Sequence, residues 1–573
     1  MIREELREVM RGSIREKFPG IPMPEFSLAV PESPEHGDYA ANAAMVIAKS
    51  AHTNPMEVAE NIKGAIPSHQ LIEKIEIAKP GFINFFLSKR ALESALAGAL
   101  AHPNTWGTSD VGAGKTVIVE YFQLNIAKRP HIGHIRSAII GDALKRMFLS
   151  QGYTAVSDTH VGDWGTQFGI LLYGYKNLAL EENWRELTEN DVFGKLEELY
   201  IDTNVSLENN PPEYRELAKK EFAKLERGDI ENRKLWQWMV DVSMKNLEES
   251  AKRLGLLPFE EHRGESFYED KMVPIVELAL DKKIAKKTDD GAVIVDLTSE
   301  GLDEAVLTKS DGASTYLLRD LATIKYRKEN WNFWKNLYLV DVRQSHHFKQ
   351  VFRVAELLGF DGVGESEHIE YGFMSLPTGA ISTRAGNVIS LEEVINEAEE
   401  KARVVIKEKN PELADAVGVA RMVGLGALKY FDLSHHRRSD IVFQWDTALS
   451  FEGNSGPYLQ YTHARLKSIL RKLGDERADF GDVTPDPLEH RIIASIARFP
   501  ESIEDALADY TPNTLANYLY GLAKLANEFY HSHPVTQEED SAKKQFRAVL
   551  ISAVAATLSR GLYLLGIDAP EEM

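Results

Sequence analysis

Residues 117–147, VIVEYFQLNIAKRPHIGHIRSAIIGDALKRM, decide the fold. Val117 to Tyr121 is a β-branched apolar run and reads as a buried strand. Ile135 to Phe148 carries apolar residues at helical spacing over a broad face, as expected of a helix laid on a sheet. Pro130 disfavours helical geometry at Arg129, so the spacing predicts a helix start near His131. The first-turn N–H groups of such a helix leave the carboxyl edge of the sheet, where they and the helix dipole favour phosphate. Gly133 has no side chain and would let a nucleotide lie against the backbone. His131 and His134 share one helical face and can each donate a hydrogen bond to phosphate oxygens as charge develops in a transition state. Such a site suits attack on an α-phosphate. A lone HxxH is as readily two ordinary histidines near a turn; the strand, loop and helix around this one favour a site.

The totals bound the rest. At 573 residues the chain is too long for one core, and a prior of ~150 residues per domain suggests three or four. Hydrophobic residues make up 43% and charged residues 27%, the balance of a soluble globular protein. With no cysteine, disulfides and cysteine-ligated zinc are excluded. MIREELREVMRGSIREKF at the start has no uninterrupted apolar core and is not expected to be a secretory leader. The longest apolar run, Ala548 to Leu558, is broken by Ser552 and Thr557 and is too short to span a bilayer, so no membrane partner and a cytoplasmic location are expected. The net charge of −21 argues against general nucleic-acid affinity. It does not exclude an RNA partner, because local basic faces decide where phosphate binds.

The tetrapeptide HIGH at 131–134, within NIAKRPHIGHIRSAIIGD at 125–142, resembles the signature of class I aminoacyl-tRNA synthetases, and specifically the arginyl-tRNA synthetase family. The resemblance runs over essentially the whole chain and implies an α/β fold: a Rossmann-like parallel sheet with a helical insertion, a small N-terminal α/β domain and an all-α C-terminal anticodon-binding domain. Expected boundaries are 1–110 for the N-terminal domain, 111–177 and 306–390 for the two halves of the catalytic domain, 178–305 for a mostly helical insertion, and 391–573 for the C-terminal domain. The implied activity is ATP-dependent conversion of L-arginine to arginyl-adenylate and its transfer to tRNA(Arg), with Mg2+ escorting the triphosphate and no metal site in the chain itself. A monomer is expected. Another class I synthetase, or a paralogue that binds tRNA without charging it, remains open on these residues.

In chain order, Pro34 to Lys49 reads as a loop and an amphipathic helix, and Ile75 to Leu87 as two short strands around Pro80-Gly81. The GDY and GFINF motifs here resemble those of the family's tRNA D-loop domain, and by position Phe82 and Asn84 are the implied contacts. An aromatic that stacks a base beside an amide that bonds its edge suits single-stranded RNA, though core and turn roles are equally open. GAGK at 112–115 lacks the spacing of a P-loop. Tyr153 to Ser157 reads as a second strand, followed by HVGDWGTQFG at 160–169, in which Gly162, Asp163 and Trp164 suit a structural role as well as a substrate contact. Nothing from 178 to 305 resembles an editing site, which fits a side chain distinctive enough to be selected without one.

The second half resumes at LTKSDGASTYLLRDLATIKYR, where Tyr316 and Asp320 are four apart and face the same way on a helix. A carboxylate offers two oxygens to the planar fork of a guanidinium, so Asp320 is the expected reader of the arginine side chain, with Tyr316 stacked on it or bonded to it. Glu120 would add a second carboxylate. Asn336 to Val342 reads as a strand whose carboxyl end delivers Gln344 and His347. The resemblance implies that Gln344, Asn125 and His131 meet the amino acid, that His131, Gly133 and His134 bind ATP, and that His347 lies near the adenosine. At 380–387, AISTRAGN, the KMSKS lysines of class I enzymes are replaced by Ala380 and Thr383. Positive charge for the leaving pyrophosphate must then come from elsewhere, and the resemblance implies Lys128, with support from Arg384. From Leu391 the chain reads as helical to its end, with an amphipathic tail helix at Lys543 to Gly566 and with Tyr458, Tyr461, Tyr518 and Tyr530 as aromatics for anticodon bases or for core.

Overall fold

A computed structural model describes residues 1–179, 184, 188–209, 211–375, 377, 389–474 and 483–573. The chain divides into two compact units, one of residues 109–402 with 427–448, the other of 1–108, 403–426 and 449–573.

The first unit is built on a four-stranded parallel sheet of β1 (Thr116–Glu120), β2 (Thr154–Asp158), β3 (Lys335–Tyr338) and β4 (Ser366–His368), in the order β4-β3-β1-β2. Its register aligns the last residues of all four strands: His368 opposite Tyr338, Tyr338 opposite Glu120, and Glu120 opposite Asp158. Side chains that leave the carboxyl edge therefore start from one line across the sheet, the position at which open α/β sheets bind ligands. Between β1 and β2 runs α1 (Ile132–Ser150), and on either side of β3 lie α2 (Tyr316–Trp331) and α3 (Ser345–Leu358). The expected strand at Asn336 to Val342 is shorter than its apolar run, because Val342–Gln344 turns into a single 3-10 turn held by the Asp341 side chain, which accepts the Arg343 N–H.

α1 is packed more closely than a helix with one apolar face. Its charged side is also buried: the Arg136 guanidinium bonds Asp432 at 3.1 Å and the backbone carbonyls of Gly372, Arg437 and Ser439, while Lys145 bonds Ser157, the Pro258 carbonyl and Glu260. Both charges are thus out of water but fully partnered. At Gly141 a methyl group would stand 2.2 Å from the Tyr121 ring, so glycine sets how closely the helix meets the end of β1. The segment between the sheet halves is less uniformly helical than its composition predicts. After helices at Glu189–Asn209, Pro212–Glu226, Ile230–Arg253 and Glu269–Asp281 comes a three-stranded antiparallel sheet of Ala285–Lys287, Val293–Val295 and Ala305–Thr308. Strands of three or four residues are too short to show a period.

In the second unit, strands Leu28–Ala29, Tyr39–Ala41, Phe82–Leu87 and Ile72–Ala78 form a sheet in that spatial order. The Tyr39 hydroxyl donates to Glu501 at 2.9 Å, and the Arg3 N–H donates to the same carboxylate at 2.7 Å, so the helix Ile2–Lys17 and this sheet meet the helix Phe499–Ala508 through one buried acid. Helix Ser541–Leu564 is the one described helix long and apolar enough to cross a membrane by length and composition. It is not amphipathic as the sequence suggests but buried nearly all round, with Val549, Leu550, Ile551, Ala553, Val554 and Ala555 all inside, as a central core helix is.

Candidate active site

The HIGH turn closes on itself. His131 caps α1, its Nδ1 accepting the Gly133 N–H at 3.1 Å, while His134 Nδ1 accepts the His131 N–H at 3.1 Å. The Ile132 N–H reaches the Ile389 carbonyl and the His134 N–H reaches the His131 carbonyl. The first-turn N–H groups, expected to receive phosphate, therefore already have partners within the protein. Because each Nδ1 is an acceptor, the proton of each neutral imidazole stands on Nε2, available as a donor. The ring centroids are 3.9 Å apart. Burial lowers the His131 pKa, and burial with the neighbouring His131 lowers that of His134 to about 3, so both rings are neutral near pH 7. A methyl group at Gly133 would stand 2.8 Å from the His131 ring, so the glycine makes room for the imidazole.

Beside this turn a cleft of about 440 Å³ opens over the carboxyl edge of the sheet. Glu120, Asn125, His134, Tyr316, Asp320, Gln344 and His347 all line it, brought there from β1, the loop beyond it, α1, α2 and the start of α3. Gly162 contributes by what it lacks, since a methyl group there would meet the Asn125 amide oxygen at 2.3 Å. Lys128 is exposed, its ammonium 4.9 Å from the centre of the Tyr200 ring. Ser382, Arg384, Gly386 and Asn387 lie outside the described residues.

Each carboxylate of the cleft already has a partner. Asp320 Oδ2 is 2.5 Å from Nε2 of His347, the residue expected beside the adenosine. Glu120, 3% exposed, lies 2.6 Å from the Arg327 guanidinium, which also bonds Asp158 at 2.9 Å. Gln123 donates to the other Glu120 oxygen at 3.2 Å. Glu265 faces Arg319 at 3.2 Å; burial outweighs that cation and pushes its carboxyl up to about 7. Burial pulls the His160 imidazole down, but Glu120, Asp320 and Asp158 outweigh it and leave its pKa raised. Of the lining residues the sequence did not single out, His160 stands inside the HVGDWG motif, and Gln123 within the opening stretch; Glu265 carried no local signal. Asp163 and Trp164 have structural partners: the Asp163 carboxylate accepts from the Ser266 N–H and hydroxyl, and Trp164 is 4% exposed among Phe222 and Trp236.

In the other unit, Asn84 is 2% exposed on the strand Phe82–Leu87. An amide so covered cannot read a base edge as the sequence suggested, and of that pair only the half-buried Phe82 offers accessible surface.

The chain matches the family model for tRNA synthetases class I (R), catalytic domain, over residues 95–445, the arginyl tRNA synthetase N terminal domain over 1–87, and the DALR anticodon binding domain over 459–573. It is 37% identical to the arginine–tRNA ligase of Fusobacterium nucleatum, over 99% of either chain, and 37% identical to that of Clostridioides difficile over 100% of both. Among solved structures it is similar to the arginyl-tRNA synthetase of Thermus thermophilus, with TM-score 0.82 and 26% identity over 100% of both chains. The Plasmodium falciparum arginyl-tRNA synthetase superposes with TM-score 0.82 and 25% identity, over 100% of this chain and 99% of the other.

Proposed function

The chain belongs to the arginyl-tRNA synthetase family, and from that premise we propose how its cleft carries out the family's reaction. As an arginine–tRNA ligase it uses ATP to convert arginine to arginyl-adenylate with loss of pyrophosphate, then passes the arginyl group to the 3′-terminal adenosine of tRNA(Arg) with loss of AMP. No side chain has to become covalent, so the work is positioning and charge stabilisation.

The ATP α-phosphate lies over the HIGH turn. The Nε2–H groups of His131 and His134 donate to the oxygens that gain charge as the arginine carboxylate attacks in line. Being neutral, these donors place no fixed cation beside the ground-state triphosphate; they respond to charge where it grows. Lys128 follows the departing pyrophosphate, with Arg384 in support. Arginine takes the other end. Asp320 bonds its guanidinium, Tyr316 lies against it, Glu120 adds negative charge, and Asn125 and Gln344 hold the α-amino and carboxylate groups. Glu120 acts from a fixed position, because Arg327 holds it in place and shares itself between Glu120 and Asp158. Two carboxylates around one guanidinium leave a net negative charge under the pocket, which favours a cationic side chain.

Magnesium supplies charge neutralisation on the triphosphate. The cleft carboxylates Glu120, Asp320 and Glu265 are engaged by Arg327, His347 and Arg319, so they are not a ready set of oxygen ligands for the ion. Phe82 is assigned to the D-loop side of the tRNA, the residues after 391 to the anticodon, and the enzyme is taken as a cytoplasmic monomer.

One observation carries the site assignment: seven residues that are distant in sequence, Glu120, His134, Tyr316 and Asp320 with fitting side-chain chemistry and Asn125, Gln344 and His347 implied by the family resemblance, line a single cleft beside the HIGH turn. The test is a charging assay with unfractionated tRNA and each amino acid in turn, in which arginine alone is expected to be attached. Attachment of another amino acid at a comparable rate would reject the arginine pocket.

A further inference from the structure

The GDY motif at 37–39 lies against the strand that carries Phe82, yet both of its side chains are buried. At Gly37, whose φ is +84°, a methyl group would stand 2.6 Å from the Phe85 carbonyl oxygen, so the backbone there passes directly over the strand Phe82–Leu87. Asp38 is tied to that strand twice, its N–H donating to the Phe85 carbonyl and its Oδ2 accepting the Leu87 N–H, each at 2.8 Å. Tyr39 pairs with Phe85 in the sheet. The remaining groups of the motif go to the C-terminal helices. His490, on Pro487–Ala497, donates from Nε2 to Asp38 Oδ1 at 3.0 Å, and the Tyr39 hydroxyl lies 2.9 Å from both oxygens of Glu501, on Phe499–Ala508. These helices are held in turn. Arg547 bonds Glu489 at 2.8 Å, and the Tyr518 hydroxyl donates at 2.8 Å to the Ser495 carbonyl from Pro512–Ser532, the helix that carries Tyr530.

One tRNA has to be met at two places, by Phe82 at the D-loop and by the C-terminal helices at the anticodon. When two contacts on one ligand are held at a fixed spacing, the first raises the effective concentration of the second, and ordering them beforehand removes an entropic cost from the binding step. We propose that the GDY motif is a joint: Asp38 and Tyr39, with His490 and Glu501, are positioning residues that hold the D-loop module at the spacing the anticodon module needs, and touch no RNA themselves. Two polar bonds from adjacent residues to two different helices fix rotation as well as distance. Without His490 the buried Asp38 carboxylate is one hydrogen bond short, so the seated arrangement loses advantage over an opened one. This inference rests on the assignment of Phe82 to the D-loop and of the C-terminal helices to the anticodon.

The test measures the Kd of the full-length enzyme for a transcribed tRNA(Arg) and for an isolated anticodon stem–loop, which reaches one module only. Four forms are compared: the parent, Phe82→Ala, the joint variant Tyr39→Phe/His490→Leu, and the combination of all three substitutions, with thermal melting to establish that each is folded. In the parent, Phe82→Ala is expected to weaken full tRNA binding roughly tenfold, the worth of one stacked base. In the joint variant the same substitution should matter about twofold or less, because a module no longer held at its spacing contributes little. Stem–loop affinity and the KM values for arginine and ATP should be the same in the joint variant as in the parent. An equal loss from Phe82→Ala in both backgrounds would overturn the proposal and leave the GDY contacts as structural bonds only. So would weaker stem–loop binding by the joint variant, since the effect would then lie within the anticodon module. If the joint variant does not fold, His490→Leu alone gives the same readout with the Tyr39 bond intact. Phe82→Ala without effect in the parent would instead remove the D-loop assignment, and the joint with it.

Discussion

The two ends of the cleft solve opposite electrostatic problems. At the HIGH turn, burial leaves the histidines uncharged, and with each Nδ1 used as an acceptor each keeps one N–H donor on Nε2. At the end proposed for arginine, Glu120, Asp158, Asp320 and Glu265 are gathered with Arg327 and Arg319. On the proposed assignment, the nucleotide end keeps its electrostatics in reserve for a transition state, while the amino-acid end spends them on ground-state recognition. Uniform recognition lowers KM, whereas an interaction that strengthens only in the transition state raises kcat.

That division is most easily broken at Asp320. Asp320→Ala should reduce kcat/KM for arginine about 100-fold or more, the scale for truncating one partner of a buried charge pair, while the ATP KM stays within a few-fold; near-normal arginine affinity would dissolve the arginine end as drawn. His134→Ala probes the opposite end and should slow single-turnover adenylate formation on the order of 100-fold, with arginine affinity little changed. If arginine affinity falls in parallel, the two ends are not separable. Lys128→Ala should slow the same step on the order of tenfold, and an unchanged single-turnover rate would assign the pyrophosphate's charge to another group. The smallest effect distinguishes the ends by pH. The carboxyl of Glu265, raised to about 7, gains a proton as pH falls from 8 to 6, so the pocket loses negative charge and the arginine KM should rise a few-fold. Glu265→Gln should flatten that profile. His134, lowered to about 3, does not titrate in this window, so a drop in single-turnover chemistry over the same range at saturating arginine would contradict the neutral turn.

Legibility in the sequence followed the range of the interactions. The strand, turn and helix around HIGH, the Tyr316–Asp320 pair and the strand-end position of Gln344 all rest on patterns a few residues long, and the chain alone displays them. Which charge faces which does not show at that scale. Arg327 reads as one more cation on an exposed-looking helix, yet it is the fixed partner of Glu120 and Asp158 from two other elements. Glu265 sits in a linking 3-10 turn, and its place in the cleft depends on β2 and α2 folding around it. The same limit explains the first turn of α1: its N–H groups suit phosphate by local geometry, and the Ile389 carbonyl and the His131 ring that bond two of them do not show at that scale. Burial misleads likewise where polar residues punctuate a core helix, as in Ser541–Leu564, or where an amide stands in the middle of a sheet, as Asn84 does.

The grip of Arg136 on Asp432 and on the carbonyls of residues 372, 437 and 439 bears on how the enzyme can be dissected. A gene fragment ending after Ala402 would encode every proposed substrate-binding residue of the cleft yet strand a buried guanidinium on the helix that carries both histidines. Losing the opposite member of such a pair costs about 3–5 kcal/mol, a large fraction of the roughly 5–15 kcal/mol that holds a domain folded. The catalytic half is therefore discontinuous in the gene, and an excised version needs residues 427–448 stitched back on.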